Sequence, residues 1–145
     1  MNKIFFILFI SLISTNLACN EEVRISSNDK FEVIKSKKFT QVNLLKGNDK
    51  IEIFNKVMRD NVIWIYSVPK KENSYIIITR PMVAGAEHSR FWLISKGQTR
   101  LIGKTECVDH KIDDVNFEQI RYRCFFDDPK KPLQVGSKKI VYSLR

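Results

Sequence analysis

The sequence predicts an all-β, mainly antiparallel domain: a sandwich, barrel or propeller-like sheet with at most one or two short helices. Three observations lead there. About seven to nine short apolar segments recur at regular spacing, each bounded by turn signals. Ten Phe, four Tyr and two Trp stand against only five Gly, a composition suited to pleated, half-buried surfaces. Hydrophobic residues make up 43% of the 145, enough to bury a core and to argue against disorder.

The domain is preceded by a leader, residues 1–19. Lys3 supplies a positive charge, Ile4 to Ile13 form an apolar run broken only by Ser11, and Leu17-Ala18-Cys19 follow. A charged start, an apolar run of roughly 7–15 residues and a small residue before a cut describe a secretory signal peptide. The run is shorter than the about 20 apolar residues that span a bilayer. Leu17-Ala18-Cys19 resembles the lipobox of bacterial lipoproteins, in which cleavage falls before a lipidated cysteine. Ala18 and Cys19 match that pattern, whereas Asn16 stands where the family carries an aliphatic residue and Leu17 comes one place late. The resemblance implies a lipid anchor at Cys19 and a place in the periplasm or cell envelope; ordinary cleavage after Ala18 or after Cys19 is the alternative. Residues 20–30, rich in Glu, Ser and Asn, read as a polar tether, and residues 31–145 as a single β-rich domain.

The elements then come in order. Phe31-Glu32-Val33-Ile34 reads as a strand. Phe39 to Leu45 alternates and runs into the turn Lys46-Gly47-Asn48-Asp49. Ile51 to Met58 fits both a strand and a helix face, and the alternation of Ile51-Glu52-Ile53 favours a strand. Val62 to Val68 is apolar on both sides, Val62, Trp64 and Tyr66 on one and Ile63 and Ile65 on the other, which makes it central. Tyr75 to Thr79 is a second such strand, ended by Arg80-Pro81. Phe91 to Ile94 and Arg100 to Ile102 flank Ser95-Lys96-Gly97-Gln98, a hairpin that sets Trp92 against Leu101 and Phe91 against Ile102. Asp113 is placed to cap a short helical turn through Val115, Phe117 and Ile120. Gln119 to Phe126 alternates, with Ile120, Tyr122, Cys124 and Phe126 on one side and Arg121, Arg123 and Phe125 on the other. Lys139 to Leu144 closes the chain with Ile140, Tyr142 and Leu144 inward.

Three cysteines are present. Export permits disulfides, so Cys107 and Cys124 are expected to pair, and the odd Cys19 is accounted for by lipidation or by loss with the leader. Such a pair pins the base of a polar loop whose tip carries Asp109, His110, Lys111, Asp113 and Asp114. Rigid polar loops on β scaffolds often carry binding, and a pinned loop loses less entropy on docking. Arg121 and Arg123 share a strand face and offer a basic patch to an acidic partner. The formal charge is +9, of which the leader's Lys3 supplies one, leaving +8. In an exported chain this excess points to an acidic protein or anionic surface rather than to nucleic acid.

Catalytic signals are thin. His88-Ser89 are adjacent, but a triad is defined by geometry and no G-x-S-x-G elbow occurs. Cys107-x-x-His110 has metal-ligand spacing, yet a structural zinc site needs four ligands and no second pair exists. No cofactor or metal is expected, and the chain is read as a non-enzyme. The function expected is a small exported envelope protein that binds another protein, neutralising an enzyme: an immunity protein against a periplasm-targeted toxin, or an inhibitor of a cell-wall hydrolase. Its partner is then an acidic or cleft-bearing enzyme, with membrane contact only through Cys19. The alternative is a structural or assembly lipoprotein of a membrane complex.

Overall fold

The computed structural model describes residues 23–58, 60–81, 89–105, 107, 109–127 and 135–145. Among them lie eleven strands and no helix. The leader, with Cys19, falls outside the described residues. The strands are β1 (Arg24–Ser26), β2 (Lys30–Lys35), β3 (Thr40–Lys46), β4 (Asp49–Lys56), β5 (Asp60–Ser67), β6 (Tyr75–Pro81), β7 (Ser89–Ser95), β8 (Gln98–Thr105), β9 (Asp109–Val115), β10 (Gln119–Asp127) and β11 (Val135–Ser143).

They form three sheets that follow one another along the chain. β2, β3 and β4 are one antiparallel meander. β5 to β8 are the second, widened by β1, which lies parallel to β5. β9, β10 and β11 are the third. The five-stranded sheet is the middle layer of an all-β sandwich, because both of its faces are apolar and each is covered. One face sets Ile76, Ile78, Phe91 and Leu93 against Ile120, Tyr122 and Cys124 of the third sheet. The other sets Val62, Ile65, Tyr75, Ile77 and Ile94 against Val42, Leu44 and Phe54 of the first. Aromatic pairs tie the layers: Phe91 stacks on Tyr122 with ring centroids 4.7 Å apart, and Phe31 meets Tyr75 edge to face at 5.4 Å.

Two bulges correct the expected facing of side chains. Val62 pairs with Thr79, but Trp64 pairs with Ile78, leaving Ile63 as an extra residue. Such an insertion reverses the alternation beyond it. Trp64 and Tyr66 therefore join Ile63 on the side of the third sheet, while Val62 joins Ile65 on the other. In the β7–β8 hairpin Trp92 does face Leu101. Phe91 faces Gly103 rather than Ile102, because the register slips between Phe91 and Trp92. The turn itself is Lys96-Gly97, both with positive φ (52° and 72°), the backbone of a two-residue hairpin turn.

The segment expected as a tether also contributes structure. Arg24, Ile25 and Ser26 pair with Trp64, Ile65 and Tyr66, and Arg24 lies over the Trp64 ring at 5.1 Å. The helical turn expected after Asp113 is absent. Asp113 belongs to β9, and Asn116 instead closes a tight turn into β10, its side chain accepting from the backbone N–H groups of Glu118 and Gln119. An asparagine that bonds its own backbone two residues on favours such turns over helix.

Among the described residues one carboxylate is buried in the sandwich. Asp60 is 2% exposed. Arg90 Nη1 donates to both of its carboxylate oxygens, at 3.0 and 2.9 Å, and Thr79 Oγ1 donates at 2.9 Å. Trp92 Nε1 donates to Thr79 Oγ1 at 3.0 Å, and Thr40 of β3 donates to the Asp60 carbonyl at 2.7 Å. A buried carboxylate is tolerated only when so paired. Here the same network locks the first sheet to the middle one.

Candidate functional site

The Cys107–Cys124 bond forms as expected, with the two Cα atoms 5.3 Å apart. Cys107 lies two residues before β9, and Cys124 sits on the inner side of β10. The disulfide is compatible with folding outside the cytoplasm.

What it pins is a strand rather than a loop. Asp109 to Val115 pair with β10 as an edge strand. His110, Ile112 and Val115 are its inward residues. His110 is 7% exposed, with its ring 6.0 Å from Phe91 and 6.2 Å from Trp64. It is a core residue and takes no part in a binding tip. The spacing 110, 112, 115 breaks strict alternation, and the register accommodates it: Arg121 pairs with Asp114 but Tyr122 with Ile112, so Asp113 is the extra residue of a bulge. Both aspartates thereby face outward with Lys111.

On that outer face the charges meet one another. Arg121 Nη2 is 2.8 Å from Asp114 Oδ2, and Arg123 Nη2 is 3.6 Å from Asp113 Oδ1. The hydrogen bond from Arg121 holds the Asp114 carboxyl below the usual carboxylate range, assisted by Asn116. Exposed pairs of this kind add little to stability, but they place a carboxylate against each arginine. Lys139 stands across from Arg123 on β11, and the exposed Val141 across from Arg121. The structure thus brings Lys111, Asp113, Asp114, Arg121 and Arg123 onto one surface and removes His110 from it.

Ser89 is buried at the start of β7, and His88 lies outside the described residues. Cys107 is held in the disulfide, which takes its thiolate out of the Cys-x-x-His spacing. Among the described residues no three His, Cys, Asp or Glu side chains converge as metal ligands.

A second surface was not signalled by any motif. At one end of the sandwich the β5–β6 connection, the β7–β8 turn and the residues after β11 enclose an open cleft of about 730 Å³. Lys71, Lys96, Arg100 and Arg145 line it together with the carboxylate of Glu72, and Leu93 and Leu144 are among its apolar lining. Local backbone chemistry places each segment. The β5–β6 connection is closed by Val68 N–H donating to the Ser74 carbonyl at 2.9 Å, with Lys70 and Asn73 at positive φ. Leu144 N–H donates to the Glu118 carbonyl at 2.7 Å, which carries the end of the chain across the sandwich. Lys71 Nζ donates to the Leu144 carbonyl at 3.3 Å and Arg100 Nη2 to the Arg145 main-chain oxygen at 2.6 Å. Arg145 pairs with Glu118. The four cations are scattered over positions 71 to 145, so only the overall positive excess hinted at them.

Comparison with known protein families, curated proteins and solved structures finds no match for this chain.

Proposed function

We propose that the chain is an exported envelope protein that acts by binding another protein, neutralising an enzyme as an immunity protein or hydrolase inhibitor does. The observation that carries this reading is the stapled third sheet. A disulfide at its base and a sandwich core behind it hold an ordered charged face, and a surface held in place before contact loses little freedom on docking. The leader pattern and the disulfide both suit work outside the cytoplasm. The residual charge of +8 favours an acidic partner, since complementary charge raises the rate of encounter.

The test immobilises the oxidised protein, exposes it to periplasmic and secreted extracts, and identifies what survives a salt wash. The expected result is a soluble enzyme held at one-to-one stoichiometry, whose activity falls in proportion to added protein. Capture of membrane components alone, with no enzyme inhibited, would replace this reading with that of an assembly lipoprotein.

A further inference from the structure

The two basic surfaces differ in one respect that matters for recognition. On the outer face of the third sheet each arginine already has a carboxylate: Arg121 has Asp114 and Arg123 has Asp113. In the cleft Arg145 is paired with Glu118 and Glu72 is part of the lining, but Lys71, Lys96 and Arg100 are placed differently. Lys71 and Arg100 are anchored by main-chain oxygens. Among the described residues neither they nor Lys96 is in an ion pair with a side-chain carboxylate. Hydrogen bonds to main-chain oxygens fix where such side chains point without placing an acidic side chain against them. Lys96 is carried at the tip of a tight turn, and Ser74 and Ser95, whose hydroxyls lie 3.0 Å apart, add neutral hydrogen-bonding groups to the same lining.

We propose that this cleft is an acid-recognition site that receives side-chain carboxylates from a segment of the partner protein. Its cations come from three separate parts of the chain, which suits several carboxylates along one segment. Ammonium and guanidinium groups favour carboxylates by charge-assisted hydrogen bonds, and the cleft's volume is of the size that encloses several side chains. The assignment rests on the protein-binding function proposed above for the nature of the ligand, and it adds Lys71, Lys96 and Arg100 as a point of contact beside the charged face of the third sheet.

The experiment needs no captured partner. The oxidised protein is titrated with a fluorescent decapeptide of alternating Glu and Gly at near-physiological salt. Saturable binding is expected, weakened at least tenfold in Lys71→Gln/Lys96→Gln and unchanged in Arg121→Gln/Arg123→Gln. Lys96→Gln alone removes no hydrogen bond of the fold and is expected to weaken binding several-fold, which separates recognition from folding. Equal loss in the Arg121/Arg123 variant, absence of saturation, or binding to phosphatidylglycerol vesicles in place of the peptide would overturn the assignment. Each of these outcomes leaves the enzyme-capture result to stand or fall by itself.

Discussion

Gly103 shows how closely single residues are constrained here. It lies on β8 opposite Phe91, and an added Cβ would sit 2.0 Å from Cζ of Tyr142. That ring cannot swing away freely. Its hydroxyl donates to the Lys104 carbonyl at 2.7 Å and accepts from Tyr122 at 3.1 Å, and it meets Phe91 in a T-shaped contact with ring centroids 5.4 Å apart. Gly103→Ala is therefore expected to lower the unfolding free energy by about 1–3 kcal/mol, the range for overpacking a filled core. Urea denaturation followed by tryptophan fluorescence checks this; an unchanged midpoint would mean that Tyr142 relocates at no cost. Nothing in the sequence around Gly103 announces this role. The glycine is needed because of a ring nearly forty positions away, and such a contact has no local periodicity.

Among the elements, β9 is the one whose hold on the sandwich is easiest to measure. It is an edge strand, joined on one side only, and the Cys107–Cys124 bond closes a span of 17 residues across its connection to β10. In the chain-entropy treatment a closure of that length stabilises by about 3 kcal/mol. Cys107→Ala/Cys124→Ala is expected to lose about that much in urea denaturation while keeping its β circular dichroism. A loss below about 1 kcal/mol would assign the hold on β9 to His110, Ile112 and Val115 instead. The same element marks the limit of what could be read from sequence. β5, β6 and the β7–β8 hairpin are legible because they are apolar on one or both faces and end in strong turns. β9 reads Asp-His-Lys-Ile-Asp-Asp-Val, with too few apolar residues to register as a strand and a bulge that spoils the alternation. β1 has three residues, too few for any pattern. The cleft was hidden for a third reason: its lysines and arginines sit in separate turns, and only the fold brings them together.

At the scale of the whole molecule, burial of phenols predicts the response to alkali. Burial pushes the Tyr75 hydroxyl up to about 12, with its hydrogen bond to Asp29 acting in the same direction. Tyr122 and Tyr66 are raised further, again mainly by burial. A group whose pKa is higher folded than unfolded contributes stability that is complete below its unfolded pKa and is lost as pH rises through the folded one. With unfolded tyrosines near 10, stability is expected to hold up to about pH 9 and to fall steadily above pH 10. Phenolate absorbance from these three residues should appear together with loss of β signal. Their ionisation near pH 10 in a protein that stays folded would contradict the burial of the two interfaces.

The first strand also decides how the molecule answers tension. Every other pairing joins strands adjacent in the chain, whereas β1 reaches across to β5. A pull on the chain ahead of Arg24 falls first on three pairings, Arg24 with Trp64, Ile25 with Ile65 and Ser26 with Tyr66. It falls next on the side-chain bonds of Ser27 to Ser67 and Asp29 to Tyr75. Trp64, Ile65, Tyr66 and Ser67 belong to β5 and Tyr75 to β6, so the load passes directly into the middle sheet. β1 therefore passes such a pull to the middle layer, past the sheet that follows it in the chain.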